Sequence, residues 1–136
     1  MPIQPFNAGR ACLTAAALVT AIGPFAADWS DSHVFNPRWP PHAKFHNGQT
    51  MSSGAALGVL TAYYTWRPTS NPADSLRTAA IFGSLYFVTA LSGILYPGAQ
   101  GMDPEFGEGF PQIWPFLGFS GLPWLGYWLA KRRMRV

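Results

Sequence analysis

Every histidine of this 136-residue chain lies between positions 33 and 46. An imidazole can gain or lose a proton near neutral pH, and the neutral ring can bind a transition metal. His42 and His46 are four residues apart, a spacing that places two side chains on one face of a helix. Two imidazoles on one face can supply two ligands to a divalent metal ion. The segment therefore predicts a metal site at His42 and His46, or proton transfer by a histidine.

Carboxylates flank these histidines and could act with them as acids and bases. Six residues form the predicted catalytic set: His33, His42, His46, Asp28, Asp31 and Glu105. The helical zinc-protease motif is excluded, because position 43 is Ala where that motif has Glu. A third interpretation stays open, in which these polar side chains only solvate a loop and hydrogen-bond to the helix ends.

Four long stretches without a charged residue or histidine must position this segment. Charged residues make up only 11% of the chain, against about 25% in ordinary soluble domains. Each stretch is close to the ~17–25 residues that a helix needs to cross a bilayer. The sequence therefore predicts an all-α fold, a four-transmembrane-helix bundle, as one domain over residues 1–136. The predicted helices cover about 10–28, 42–66, 75–96 and 111–131.

The first of these stretches could instead be a cleaved signal peptide. Before Asp28, the positions that should hold small residues are occupied by Ala27 and Phe25, so the cleavage pattern is poor. We therefore expect a retained membrane helix. Cys12 is the only cysteine, which excludes an internal disulfide.

Positive charge predicts the orientation in the membrane. A basic cluster follows the last apolar stretch, and such clusters stay in the cytoplasm. Four crossings then place both termini there, and they bring all three histidines and five of the six carboxylates to the opposite face. A basic cluster next to an apolar helix favours anionic lipid over nucleic acid, so no nucleic-acid partner is expected. The cluster consists of Lys131, Arg132, Arg133 and Arg135.

Small residues predict where helices approach each other. Gly54 and Gly58 form a Gly-x-x-x-Gly pair, and Ala62 continues their face. This face could pack inside the bundle, or it could bind a membrane-protein partner or a second copy in a homodimer. Tyr63, Tyr64 and Trp66 suit the membrane interface, although a pocket for a flat lipophilic ligand is an alternative.

The stretch from Asp28 to Asn47 also carries a resemblance. Its core, Asn36-Pro-Arg-Trp-Pro-Pro-His-Ala-Lys-Phe-His46, resembles a family of small four-helix integral membrane proteins of unknown function from bacteria and fungi. The resemblance implies the membrane fold and carries no activity.

Two functions remain open from the sequence. The first is a membrane-embedded enzyme that acts on a lipophilic small molecule through a histidine and carboxylate site at the non-cytoplasmic face. The second is a non-catalytic subunit or binding protein of a larger membrane complex. The expected partners are the lipid bilayer and a lipophilic small molecule, and a divalent metal is the one cofactor the residues suggest.

Overall fold

The computed structural model describes residues 5–134, and this part of the chain is all-helical without a strand. The predicted all-α class is therefore confirmed. The helices are α1 (Ala8–Asp28), α2 (Pro41–Trp66), α3 (Pro72–Ser92) and α4 (Ile113–Arg133). A 3₁₀ turn, Gly93–Leu95, extends α3. Arg135, counted above in the basic cluster, lies outside the described residues.

Proline and asparagine determine where two helices begin. Pro41 is the first residue of α2, where its fixed φ suits a helix and its missing N–H is not needed. The Asn71 side chain accepts a hydrogen bond from the Asp74 backbone N–H at 3.2 Å. This cap lets α3 begin at Pro72, three residues before the expected start at position 75.

The helices form a bundle in which α1 and α3 each contact both α2 and α4. Helices that follow each other in the chain are antiparallel, so α1 and α3 begin at the end of the bundle where α2 and α4 end. Small residues allow the close approach: a Cβ on Gly54 would lie 2.9 Å from the Thr20 carbonyl oxygen, and one on Gly58 would lie 2.6 Å from the Ala17 carbonyl oxygen. The predicted Gly54/Gly58 face is therefore covered by α1 inside the molecule.

Two helical segments are long and apolar enough to cross a membrane, Ala8–Asp28 and Pro72–Leu95. Among the described residues, α2 and α4 do not meet the same test. Asn, Gln, Ser and Thr side chains interrupt the first half of α2, while Pro, Gly, Trp and Tyr residues lower the mean hydropathy of α4. The structure thus supports membrane association through two helices, and a four-span arrangement stays a prediction.

The bundle has two chemically different ends. We call the loop end the one formed by residues 29–40, residues 96–112 and the adjoining helix ends. We call the basic end the opposite one, where the start of α1 meets the ends of α2 and α4. Arg10 donates a hydrogen bond to the Thr65 carbonyl there, and Gly9 packs directly on the backbone of Gly126 and Ala130.

Candidate functional site

Two loops that are far apart in sequence interlock at the loop end. Glu105 forms an ion pair with Arg38 and accepts a hydrogen bond from Asn36 Nδ2 at 3.2 Å. Asp103 Oδ2 accepts a hydrogen bond from Trp39 Nε1 at 2.8 Å. These contacts fix the first loop to the second, and they give Glu105 a partner that is not a histidine.

Asn36 organises this contact from a buried position, since only 2% of the residue is exposed. Its Oδ1 accepts a hydrogen bond from the Arg38 backbone N–H at 2.9 Å, while its Nδ2 donates to Glu105. An asparagine side chain that binds its own backbone two residues on is a typical way to form a turn. The turn places Arg38 against Glu105.

His33 is held between a hydroxyl and a carboxylate. Its Nδ1 lies 2.8 Å from Ser32 Oγ, and its Nε2 lies 3.7 Å from Asp28 Oδ1. The other Asp28 oxygen accepts a hydrogen bond from Asn47 Nδ2 at 2.8 Å. The ring also makes an edge contact with Trp39 at 5.1 Å between centroids. Both ring nitrogens therefore face groups that can stabilise or exchange a proton.

A cavity of about 360 Å³ adjoins this histidine. Its wall combines polar groups with aromatic and thioether surfaces. Gln112 is fixed in the wall, because its Nε2 donates to the Gly101 carbonyl at 2.8 Å. Such a combination suits an apolar molecule that carries a few polar atoms. The cavity is lined by Ser32, His33, Trp39, Gln100, Gly101, Met102, Asp103, Phe106 and Gln112.

His42 and His46 form a separate pair. Their Nε2 atoms are 3.0 Å apart, and His46 Nδ1 lies 3.2 Å from Gln49 Oε1. The spacing of four residues thus brings the rings together. Both residues are exposed, and neither contacts a carboxylate in the part of the chain described. The carboxylates that flank the pair in sequence are therefore not its partners in this part of the chain.

The reason is the rotation of α2 about its axis. The next residue, Asn47, is buried and occupies the inward position, where it binds Asp28. His42 and His46 consequently point away from the cavity. Asp31 is also exposed, and no side-chain partner is found for it within residues 5–134. Of the six predicted residues, the structure brings together two separate pairs, His33 with Asp28 and His42 with His46.

No group of three or more His, Cys, Asp or Glu side chains within residues 5–134 is placed to hold a metal ion. The pair His42 and His46 offers two ligands, whereas protein zinc sites supply three or four. Metal binding at this pair stays a prediction. The chemistry that the described side chains offer at the cavity is proton transfer.

Several residues of the site lack a signal in the sequence. Ser32, Asn36, Asn47 and Gln112 are common polar residues whose roles depend on contacts between segments. Asn36 precedes Pro37, and an Asn-Pro pair favours a turn. That signal could have identified the turn but not its contact with Glu105.

Comparison with known proteins gives a family without an activity. Residues 12–136 match the model of a family of unknown function. Neither a curated protein nor a solved structure matches the chain.

Proposed function

The chain belongs to DUF6640, a family of unknown function, and we propose that it is a multi-pass membrane enzyme that transfers a proton on a lipophilic small molecule. The cavity beside His33 carries this proposal. All four helices would cross the bilayer, and the loop end would lie at the non-cytoplasmic surface.

Outward-facing apolar side chains support four crossings. A helix of 21 residues, such as α1 or α4, is about 31 Å long, which matches the ~30 Å hydrocarbon core. Each helix exposes large apolar side chains that a soluble monomer would rarely present as one surface. Examples are Leu18 and Ile22 on α1, Val59 and Tyr63 on α2, Leu85 and Val88 on α3, and Leu117 and Leu125 on α4.

Charge supports the orientation. Arg67, Arg77 and the cluster beginning at Lys131 lie at the basic end, and cytoplasmic segments are the ones enriched in Lys and Arg. Reporter fusions after Trp66 and after Val136 should therefore read as cytoplasmic, and a fusion after Gly101 should read as external. A cytoplasmic reading at Gly101 would contradict this topology.

The proposed chemistry follows from the partners of His33. Ser32 lines the cavity and contacts Nδ1, so its hydroxyl can pass a proton between a bound molecule and the imidazole. Asp28 faces Nε2, and a carboxylate there stabilises the imidazolium that forms. The imidazolium then returns the proton to a different atom of the substrate. The substrate is thereby isomerised, and no additional reactant is needed.

The cavity wall indicates the substrate class. Trp39, Met102 and Phe106 supply apolar surface, and Asp103 and Gln112 supply polar contacts. The loop end would also lie at the membrane surface, where lipophilic molecules accumulate. The substrate would therefore be a small apolar molecule with a polar group at the reacting end.

Proton transfer can be tested without knowing the substrate. Purified protein is incubated in deuterated buffer with the apolar extract of its own host membranes, and mass spectrometry follows deuterium uptake into individual molecules. We expect uptake to fall by about 100-fold or more in His33→Asn, as for loss of a general base. His46→Asn is the matched control and should retain uptake. Equal uptake by wild type and His33→Asn would contradict the proposal.

A further inference from the structure

A second cleft lies at the basic end, remote from His33. It has a volume of about 340 Å³ and is lined by Tyr127, Trp128, Lys131 and Arg132. The Arg132 guanidinium carbon lies 3.8 Å from the centroid of the Trp128 ring, and Lys131 Nζ lies 5.3 Å from that of Tyr127. Two cations are thus held over two aromatic rings on the last turns of α4.

Stacking leaves the hydrogen-bond donors of these cations available. A guanidinium over an aromatic ring still presents its N–H groups at the edge. Neither Lys131 nor Arg132 forms an ion pair with a carboxylate in the described part of the chain, so the protein does not neutralise their charges. The cleft therefore carries two positive charges and suits an anionic group with several acceptor oxygens.

The position of the cleft on α4 indicates which kind of anion it binds. It lies where the outward apolar surface of α4, including Trp124 and Leu125, gives way to three basic residues. Trp and Tyr are typical of the membrane interface, and Lys and Arg next to a membrane helix contact lipid headgroups. We infer that Lys131, Arg132, Tyr127 and Trp128 bind the phosphate of an anionic phospholipid in the cytoplasmic leaflet.

The two cations have different roles in binding the phosphate. Arg132 can donate two parallel hydrogen bonds to phosphate oxygens, whereas Lys131 contributes a mobile point charge. The Trp128 ring keeps the guanidinium from collapsing onto the helix and lies beside the glycerol and upper acyl chains. The inference rests on the membrane placement proposed above, and it is independent of the reaction at His33.

Lipid affinity tests this inference directly. The full chain is purified in an uncharged detergent and delipidated, and native mass spectrometry then follows titration with dioleoylphosphatidylglycerol or dioleoylphosphatidylcholine. The two lipids share acyl chains, so a difference reports the headgroup. We expect phosphatidylglycerol to bind more tightly, and Lys131→Gln/Arg132→Gln to weaken it about 30-fold, since each contact contributes about 1 kcal/mol.

Arg77→Gln/Arg133→Gln is the matched control, because it removes two exposed charges from the same end but outside the cleft. This control should lose less than about threefold in affinity, because salt screens exposed charges that do not contact the phosphate. Arg132→Lys keeps the charge without the planar donors and should fall between wild type and the double variant. Circular dichroism confirms that each variant folds.

Three results would overturn the inference: equal affinity of wild type for the two lipids, equal losses in the double variant and its control, or saturation of the cleft by inorganic phosphate. Alkaline carbonate treatment of membranes separates this failure from that of the membrane proposal. Release of the wild-type chain by carbonate would contradict the membrane placement itself, whereas retention with no headgroup preference would contradict only the lipid site.

Discussion

The two ends of the bundle carry charges of opposite sign. The loop end contains Asp28 and Asp31 beside the first loop, and three more carboxylates in the second. Its Arg38 is paired with Glu105. At the basic end, the described residues include one carboxylate, Asp74, and six basic residues. Among the described residues these are Arg10, Arg67, Arg77, Lys131, Arg132 and Arg133.

Two arginines at the basic end contact uncharged groups of neighbouring helices. Arg10 is buried and donates to the Thr65 carbonyl. Arg67 Nε donates to Ser75 Oγ at 2.8 Å, and its guanidinium carbon lies 4.5 Å from the Tyr64 ring centroid. Neutral acceptors such as these orient Arg67 without cancelling its charge. The positive charge of Arg67 therefore favours contact with an anionic surface.

Structure at the two ends also rests on different contacts. The first loop is joined to the second by side-chain hydrogen bonds and an ion pair, whereas α1 meets α4 at the basic end through close backbone contact at Gly9. We therefore expect polar substitutions to affect the contact between the loops most, and changes of side-chain volume to affect the contact between α1 and α4 most.

The largest effect is expected from Gly9→Val at the basic end. Any Cβ at this position would overlap the Gly126 carbonyl oxygen and the Ala130 backbone N, and backbone atoms cannot turn aside. We expect a loss of about 2–3 kcal/mol in stability from such overpacking, measured by thermal unfolding in detergent.

Gly48→Ala is the matched control at the loop end of α2, since nothing lies within 4 Å of its Cβ position. Replacing glycine in a helix by alanine should raise stability by about 0.4–1 kcal/mol. Similar effects of both changes would contradict the proposed difference between the ends.

The second-largest loss of stability is expected from Asn36→Ala in the first loop. The change leaves the Arg38 backbone N–H without its side-chain acceptor and removes one of the two partners of the Glu105 carboxylate, which should cost about 2 kcal/mol. Asp31→Ala, in the same loop but exposed, should change the unfolding free energy by less than about 0.5 kcal/mol. If Asn36→Ala unfolds at the wild-type temperature, the interlocked loops do not stabilise the fold.

A smaller loss is expected from Trp39→Phe. The phenyl ring retains most of the apolar surface but cannot donate to Asp103, so only the hydrogen bond is removed. Removal of one hydrogen bond to a charged group should cost about 1 kcal/mol at this partly exposed position. Trp114→Phe is the control, because Trp114 is 76% exposed. Equal unfolding temperatures for the two variants would show that the Asp103 contact adds nothing.

Much of the fold could be predicted from local patterns. Uncharged stretches indicated the four helices, and the predicted start of the second at position 42 is one residue from the observed start at Pro41. The start of α3 was placed too late because several polar residues near position 71 could cap it, and only the structure shows that Asn71 does. Membrane crossing by α2 and α4 could not be decided from length, since polar residues in α2 lower its hydropathy.

The site was harder to predict, for two physical reasons. The spacing of four residues predicts that His42 lies beside His46, but it does not predict which face of α2 points inward. In the structure the buried residue is Asn47, so the two histidines lie on an outer face. Contacts such as Asn36 to Glu105 join residues 69 positions apart, and no local pattern encodes them. His33 and Asp28 were found because they are close in sequence as well as in space.

The smallest effect is expected from the exposed histidine pair. His42→Ala/His46→Ala removes ring contacts with Phe45 and Gln49 at the surface, so stability should change by less than about 0.5 kcal/mol. The same variant tests the metal hypothesis, since two ligands without a third should hold zinc weakly. Micromolar zinc should therefore shift the unfolding temperature of wild type and variant equally. A zinc-dependent rise in wild type that disappears in the variant would instead establish a metal site, and the loop end would then carry two centres, with His33 at the cavity and the pair on the outer face of α2.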